Sequence, residues 1–334
     1  MGIIDSAIDA LRFKDTIFYK EDSDLQDKYE ALQKLNIEYP NNEDILNELF
    51  MVKKGLDGED EIAYQLKKAH IGMYVLRDIK LQYEDLKAQI DYVIITPVYT
   101  YFVECKNLVG NITVNEKGDF IREYTINGKK IKKGMYSPLR QVEAQREVVR
   151  KIWESTTSKF IKVLASKNFE YYRRVLVVAA NQDTILNTSK APKEIKYKVL
   201  RADALIRQIE YDLDHGREGD VFDNKKSMEA AAQSYLNLSI KENIDFYEYY
   251  KNKFCNNVKE IVNDNLKERL INLRKVRAAE KKIPPYYVFN NDELDRIVEL
   301  RPKTIEELKR SNILTSVKIN SHGKAIIDEI NKKM

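Results

Sequence analysis

Cysteine and histidine are scarce in this chain, which limits the metal sites and catalytic groups that it can form. Only 2 cysteines and 3 histidines occur among the 334 residues. Cys105 and Cys255 lie far apart in the sequence, so they give neither a disulfide framework nor the spacing of a zinc site. His70, His215 and His322 are scattered without a neighbouring nucleophile, which argues against a Ser/His or Cys/His hydrolase. A metal site in this chain would therefore use oxygen ligands, which favours Mg²⁺ or Mn²⁺.

Long apolar runs, a glycine-rich phosphate loop and a large net charge are also missing. No apolar stretch approaches the roughly 20 residues of a membrane-spanning helix, and residues 1–10 lack a basic segment. The pattern Gly-x-x-x-x-Gly-Lys-Ser/Thr does not occur, so the chain is not itself a helicase motor. Charged residues make up 33% of the chain but the net charge is only +4, so nucleic acid would be bound by local patches. We expect a cytoplasmic protein that does not associate with a membrane.

Two adjacent segments predict a hairpin of buried strands. Residues 88–96 and 99–106 are rich in β-branched and aromatic residues, and Pro97-Val98 between them predicts a tight reversal. Apolar residues occur on both faces of each segment, which is typical of central strands. Charged residues in such strands need partners or a metal, because burial of an unpaired charge is unfavourable.

Four polar residues of this hairpin predict a metal site. A hairpin that is symmetric about the reversal pairs Asp91 with Glu104 and Gln89 with Lys106. Because side chains alternate along a strand, all four would form a polar square on one face. Two facing carboxylates repel each other unless a cation lies between them, and an ammonium group beside them suits an anionic substrate. The square thus predicts phosphodiester hydrolysis; the alternative is a solvated ion pair, since Glu-x-Lys triplets are common in this chain.

A third carboxylate is predicted on the buried side of a helix. Residues 58–68 have the helical period, and Glu59 lies on the apolar stripe that includes Ile62 and Leu66. An acid in this place could supply or support a further ligand position. The alternative is that Glu59 caps backbone amides at the start of the helix.

An ordered set of motifs extends over roughly residues 50–165: Gly55-Leu-Asp-Gly-Glu59, Gln89-Ile-Asp91, Glu104-Cys-Lys-Asn107 and Ser137-Pro-Leu-Arg-Gln141. The set resembles the nuclease-related domain, NERD, which is grouped with the PD-(D/E)xK nuclease-like fold. The resemblance implies a mixed sheet flanked by helices. It implies that Asp91 and Glu104 bind the metal and that Lys106 is their basic partner. It also implies that Glu59 is the helix acid and Gln141 the helix glutamine that follows the sheet.

Four lysines cluster in the region after the hairpin, where the sequence predicts further strands joined by glycine turns. Lysines on an edge strand commonly prevent edge-to-edge pairing. The alternative is that they contact a phosphate backbone beside the polar square. The four residues are Lys129, Lys130, Lys132 and Lys133.

The C-terminal region predicts a separate helical module. Residues 266–277 predict a basic helix, and Thr304 to Glu307 form a capping box after the helix-stopping Pro302. Together with Tyr287-Val-Phe289, Arg301-Pro302 and His322-Gly323, this segment resembles an HRDC domain over about residues 265–332.

Two positions depart from that family, because Asn312 stands where glycine is usual and His322 where tyrosine is frequent. The resemblance implies a small helical domain that binds DNA, RNA or protein. Phosphate contacts are expected from basic residues of the predicted helix, namely Arg269, Arg274, Lys275 and Arg277.

The sequence predicts four regions. They are an N-terminal helical segment over 1–54, an α/β nuclease-like domain over 55–215, a helical connector over 216–264 and an all-α HRDC-like domain over 265–334. The expected fold of the second region is a mixed sheet flanked by helices, as in restriction endonucleases.

The expected function is a metal-dependent nuclease whose HRDC module binds the substrate, with DNA preferred to RNA. Asp91 and Glu104 would hold Mg²⁺ or Mn²⁺, with the carbonyl of Cys105 as a further ligand. Lys106 would orient or deprotonate the attacking water and stabilise the developing charge. The alternative is a non-catalytic nucleic-acid-binding or scaffold protein with a degenerate nuclease fold, or one that binds a protein partner through the HRDC-like module.

Overall fold

The β-branched and aromatic segments form two sheets in a computed structural model, which describes residues 13–126, 128–158, 166–255, 266–281 and 283–332. The chain divides into two compact units, Met1–Tyr247 and Glu248–Met334. Both sheets belong to the first unit, and the described part of the second unit is helical. None of the helices in these described ranges is long and apolar enough to cross a membrane.

The strands of the first unit have these bounds: β1 Thr16–Lys20, β2 Met73–Tyr83, β3 Leu86–Ile95, β4 Thr100–Lys106, β5 Asn111–Val114, β6 Phe120–Ile126, β7 Lys129–Met135, β8 Arg173–Ala179, β9 Leu186–Asn187 and β10 Val199–Arg201. The larger sheet has the order β1-β2-β3-β4-β8-β10 and the smaller sheet has the order β7-β6-β5-β9. Strands β2, β3 and β4 form an antiparallel meander, and β1, β8 and β10 extend it with parallel pairs. The larger sheet is therefore mixed, as expected.

The helices have these bounds: α1 Asp24–Glu38, α2 Glu43–Lys67, α3 Pro138–Thr156, α4 Phe169–Tyr172, α5 Lys193–Lys196, α6 Leu205–Asp214, α7 Lys225–Leu238, α8 Phe246–Phe254, α9 Leu266–Lys281, α10 Asn291–Leu300, α11 Ile305–Arg310 and α12 Ser316–Asn331. Apolar residues of α2 and α6 pack on one face of the larger sheet. Residues of α3 and α7 pack on the other face. This arrangement, a mixed sheet flanked by helices, is the fold class that the sequence predicts.

The register of the central hairpin is the symmetric one that the sequence predicts. Tyr92 of β3 pairs with Val103 of β4, and Ile95 pairs with Thr100. Strand β8 then lies parallel to β4, so β4 is a central strand with neighbours on both sides. Its residues Tyr101, Phe102 and Val103 are fully buried, because helices cover both faces of the sheet.

The alternation of side chains shifts by one residue in both β2 and β3. Leu76 and Ile79 of β2 pack in the same apolar layer although three positions separate them, and Ile90 and Val93 of β3 do the same. The described β2–β3 ladder skips Asp78 and Asp91, the two residues that would face each other there.

Asp78 allows this shift because its backbone lies in the left-handed region, with φ of 52°. Aspartate tolerates that region better than most residues with a side chain. The oxygen Oδ2 of Asp78 also accepts a hydrogen bond from the main-chain N–H of Asp24 (2.8 Å). Asp91 therefore lies where the ladder is interrupted, and its side chain is not confined to a regular strand position.

The N-terminal segment differs from the expectation of a wholly helical region. Thr16–Lys20 is strand β1, which pairs in parallel with β2, as its β-branched and aromatic composition favours. Helix α2 begins at Glu43, so the helix predicted at residues 58–68 is the last part of a longer one. Residues 1–12 of the predicted segment lie outside the described residues, as do residues 256–264 of the predicted connector.

Helices α9 to α12 of the second unit share one apolar core. Thr304 caps α11, since its hydroxyl accepts from the N–H of Glu307 (3.1 Å), and the Glu307 carboxylate accepts from the N–H of Lys303 (2.7 Å). Asn312 has φ of 51°. Glycine is favoured at such a left-handed position and asparagine is tolerated, so the departure from the HRDC pattern at Asn312 is compatible with the fold.

Candidate functional site

Strand β4 brings the two predicted carboxylates together. Asp91 is half-buried on β3, and its Oδ2 accepts a hydrogen bond from the main-chain N–H of Cys105 (2.7 Å). This bond holds the Asp91 carboxylate against β4 between Glu104 and Lys106. Glu104 is only 2% exposed, so its carboxylate lies in the interior of the sheet.

Glu104 is bonded on both of its oxygens. Lys106 Nζ lies 2.5 Å from Oε1 of Glu104, and Gln145 Nε2 of α3 donates to Oε2 (3.1 Å). Lys106 Nζ also donates to Oε1 of Gln141 (3.2 Å). The site thus joins β4 to the N-terminal half of α3, the helix that carries Gln141.

Gln89 does not complete the predicted square. Its amide Nε2 donates to Oδ1 of Asp78 (2.7 Å) and it makes no described hydrogen bond to Lys106. The reason is the shift at Asp91: Ala88 and Ile90 belong to the apolar layer against α3, so Gln89 between them lies on the other side.

Glu59 projects from the buried side of α2, as predicted, and forms an ion pair with Arg77 of β2. Arg77 Nε lies 2.7 Å from Oε2 of Glu59, and both side chains are buried. A second bond joins Arg77 Nη1 to Asp60 (2.9 Å). Glu59 lies well inside α2, so the alternative that it caps the start of a helix is wrong. Arg77 thus provides the buried Glu59 carboxylate with a cationic partner.

The electrostatic environment disfavours a charged Asp91 in the absence of a cation. Burial raises the pKa of the Asp91 carboxyl well above its usual range, and the carboxylates of Glu104 and Glu59 raise it further. The N–H of Cys105 and the ammonium of Lys106 oppose this effect. Burial also raises the pKa of the Cys105 thiol, whose side chain packs with the apolar layer against α2.

An open cleft of about 710 Å³ adjoins these residues. It lies between α1, the start of β3 and α3. Its lining residues are Leu25, Lys28, Glu59, Leu86, Lys87, Ala88, Gln89, Asp91, Tyr136, Gln141, Ala144, Gln145, Glu147 and Val148. Asp91 is thus accessible to a ligand of the cleft, while Glu104 lies deeper in the sheet.

The donor set fits a hard divalent cation with part of its hydration shell retained. In the described residues no group of three or more His, Cys, Asp or Glu side chains could hold a metal ion. Asp91, Glu104 and the Cys105 carbonyl offer oxygen atoms only, and Mg²⁺ commonly binds through one or two carboxylates while keeping several waters. Oδ1 of Asp91 accepts no hydrogen bond from the described part of the chain, so it is available as a ligand.

Gln145 belongs to the site although no sequence motif identified it. It lies one helical turn after Gln141 on α3 and is buried. Its amide nitrogen bonds Glu104 and the main-chain oxygen of Gln89 (2.6 Å). The available signal was a second glutamine at i+4, which shares a helix face with the first.

The four clustered lysines lie on β7, an edge strand of the smaller sheet. All four are exposed. Lys132 pairs with Glu123 of β6 (2.6 Å), and Lys133 lies over the ring of Tyr124. No described hydrogen bond or ion pair joins these lysines to the site residues. The alternatives of edge protection and phosphate contact both remain compatible with this placement.

The basic residues of α9 differ in exposure. Arg274 is half-buried and donates to the main-chain oxygen of Phe289 (3.3 Å) and to Asn291 (3.0 Å), so it holds the start of α10. Arg269 approaches Glu329 of α12 (3.7 Å).

Two further basic residues of α9 face outward to different extents. Arg277 is half-buried and lies 3.2 Å from Glu280 of its own helix. Lys275 is exposed and makes no described contact, so it is the freest of the four predicted phosphate contacts.

Two family models match parts of the chain. The model of the nuclease-related domain, NERD, matches residues 54–178, which include the whole carboxylate site. The model of the HRDC domain matches residues 263–330. Searches of curated proteins and of solved structures found no match.

Proposed function

Because the chain carries a nuclease-related domain and an HRDC domain, we propose that it is a metal-dependent nuclease that hydrolyses phosphodiester bonds in nucleic acid. The observation that carries the proposal is the pair of neighbouring carboxylates, Asp91 and Glu104, with Lys106 beside them and an open cleft at Asp91. DNA is the proposed substrate in preference to RNA. The low cysteine content supports the reducing cytoplasm as the proposed compartment.

The residues of the site would have two roles, binding of the cation and orientation of the attacking water. Asp91, Glu104 and the carbonyl of Cys105 would hold Mg²⁺ or Mn²⁺. When bound, the cation supplies Lewis-acid polarisation of the scissile phosphate. Hydrolysis forms a bond from a water oxygen to phosphorus and breaks the bond to the leaving oxygen. Lys106, held by Glu104 and Gln141, is in a position to orient this water and to stabilise the negative charge that develops.

A second function remains in competition, namely a non-catalytic protein that binds nucleic acid with a degenerate nuclease fold. The observation that favours it is the engagement of Glu104, because Lys106 and Gln145 already bond both of its oxygens. In an active enzyme a cation would have to compete with Lys106 for Glu104. In a binding protein the ion pair would simply stabilise the sheet.

Incubation with labelled single- and double-stranded DNA and RNA, with Mg²⁺ or Mn²⁺, tests the proposal. We expect cleavage that requires the cation, stops in EDTA and is lost in Asp91→Ala. Retention of DNA on the protein without cleavage under any of these conditions would favour the binding function. Equal cleavage by wild type and Asp91→Ala would mean that the carboxylate site is not responsible.

A further inference from the structure

Gln145 has a buried polar atom without a partner. The residue is only 7% exposed, and its Oε1 accepts no hydrogen bond in the described residues. Its Nε2, in contrast, donates to two acceptors, Oε2 of Glu104 (3.1 Å) and the main-chain oxygen of Gln89 (2.6 Å). Buried acceptors without a donor are rare in folded proteins and unfavourable, so this one needs an explanation.

The orientation of the amide is determined by its neighbours. Glu104 Oε2 and the Gln89 carbonyl are both acceptors, and only the NH₂ group of Gln145 can donate to them. The opposite orientation would place Oε1 against two acceptors and lose both bonds. The unpartnered atom of Gln145 is therefore its carbonyl oxygen, which is an acceptor or a metal ligand.

Gln145 adjoins the candidate cation site. Gln145 lines the same cleft as Asp91 and is bonded directly to Glu104. Side-chain amide oxygens join carboxylates as ligands of hard divalent cations, and they also accept hydrogen bonds from the water molecules around such ions. A cation near the two carboxylates, or a water molecule bound to it, would thus give Oε1 of Gln145 an interaction partner.

We propose that Gln145 is a positioning residue of the cation site: its amide nitrogen fixes Glu104 on the main chain of β3, and its carbonyl oxygen contributes to the surroundings of the bound cation. The inference rests on the proposed nuclease function for the presence of a cation. It also assigns different partners to the two glutamines of α3, since Gln141 holds Lys106 and Gln145 holds Glu104.

The test is the affinity of the full-length protein for Mn²⁺, measured by electron paramagnetic resonance in the absence of nucleic acid. Gln145→Met keeps the length of the side chain and removes both polar atoms. We expect it to weaken Mn²⁺ binding by about 10- to 100-fold, the usual effect of losing an outer-shell partner. The control variant Gln33→Met, at an exposed position of α1 that does not line the cleft, should keep the affinity of the wild type.

Recovery at high Mn²⁺ concentration distinguishes a weakened cation site from a general loss of folding. Binding of Mn²⁺ should raise the melting temperature of the wild-type protein. If Gln145 positions the cation, a high Mn²⁺ concentration should produce the same rise in Gln145→Met but not in Asp91→Ala. Should Gln145→Met fail to fold, Gln145→Asn keeps the amide but is one methylene too short to reach both acceptors, and it should bind Mn²⁺ more weakly than wild type.

Wild-type affinity in a folded Gln145 variant would overturn the inference while leaving the nuclease proposal intact. Absence of Mn²⁺ binding by the wild-type protein would overturn both.

Discussion

Asp91 lies in an environment that opposes ionisation of its carboxyl group. Burial and two nearby carboxylates raise its pKa, while the only described hydrogen bond to it comes from the N–H of Cys105. Sites that bind substrates or metals often contain groups whose pKa is shifted in this way. A bound cation would therefore favour the ionised form of Asp91, which this environment disfavours.

Asp91→Asn should abolish cleavage and raise the melting temperature of the EDTA-treated protein at neutral pH by a few degrees. Asparagine can still accept from Cys105 but has no charge. Because the folded pKa of Asp91 is raised, ionisation of the wild type opposes folding as pH rises above the pKa of the unfolded chain. The advantage of the variant should thus be present at neutral pH and disappear in acid. Melting curves at several pH values measure this, and an advantage independent of pH would contradict it.

Lys106→Met should slow cleavage and destabilise the metal-free protein by about 1–3 kcal/mol, because Glu104 is buried and would lose its cationic partner. Mg²⁺ should recover part of this loss, since a ligand that binds the folded state stabilises it. Lys193→Met, at an exposed position of α5, is the control and should change stability by less than about 0.5 kcal/mol. Denaturant unfolding with and without Mg²⁺ provides the measurement. Equal stability of both variants would show that the ion pair contributes nothing.

The residues of the site were predictable to different degrees. Asp91, Glu104 and Lys106 stand out in sequence because charges interrupt strands that are otherwise apolar. Glu59 is predictable as a buried acid from the helical period, but its partner Arg77 lies on another strand, and no local pattern links the two. Gln145 was not predictable, because a glutamine on a helix face has no distinctive signal until its acceptors are known.

At the scale of elements, Gly58 determines how closely α2 approaches β4. A Cβ atom at this position would lie 2.6 Å from Cβ of Asn107 and 3.1 Å from Sγ of Cys105. Gly55 lies one turn earlier on the same helix and would meet only the flexible end of Leu25 at 3.2 Å. The two glycines thus form a natural comparison, since a helix interior gains from alanine wherever space allows.

Gly58→Ala should destabilise the protein by about 1–3 kcal/mol, because the helix would have to move away from the strand that carries Glu104. Gly55→Ala should be neutral or stabilising by up to about 1 kcal/mol, because alanine favours the helix and Leu25 can adjust. Thermal or urea unfolding of the two variants measures the difference. If Gly58→Ala is as stable as Gly55→Ala, the close approach of α2 to β4 is not a constraint on the fold.

The hairpin of β3 and β4 was predictable because a short reversal between two β-rich segments leaves one symmetric register. The change of side-chain face at Asp78 and Asp91 was not predictable, because a strand is expected to alternate regularly. The two irregular residues face each other, so the pairing register of β2 and β3 is the same on either side of them. Strand β1 is not apparent in the sequence, because its five residues carry little periodicity beside the long amphipathic pattern of α1.

At the scale of the whole molecule, the two compact units have separate apolar cores. A truncated chain that ends at residue 255 should therefore fold and retain the chemical step at saturating substrate, since every residue of the carboxylate site precedes Gly216. It should bind nucleic acid more weakly. The slope of log binding constant against log salt concentration should become shallower after truncation. The expected change is about 0.7–0.9 for each phosphate that α9 neutralises in the full-length protein.

Binding at several salt concentrations, with single-turnover cleavage alongside, distinguishes the roles of the HRDC unit. An unchanged affinity and salt slope after truncation would indicate that this unit docks a protein instead of nucleic acid. Loss of cleavage at saturating substrate would mean that the second unit takes part in the chemistry.

The larger sheet is interrupted at the point where it carries Asp91, because the described β2–β3 ladder skips both Asp78 and Asp91. Amide protons beside this interruption should exchange with solvent sooner than those of the paired residues on either side. A cation held by Asp91 and Glu104 would link β3 to β4 beside this interruption and slow that exchange. Metal binding would then reduce local opening at the centre of the sheet, even in the absence of nucleic acid.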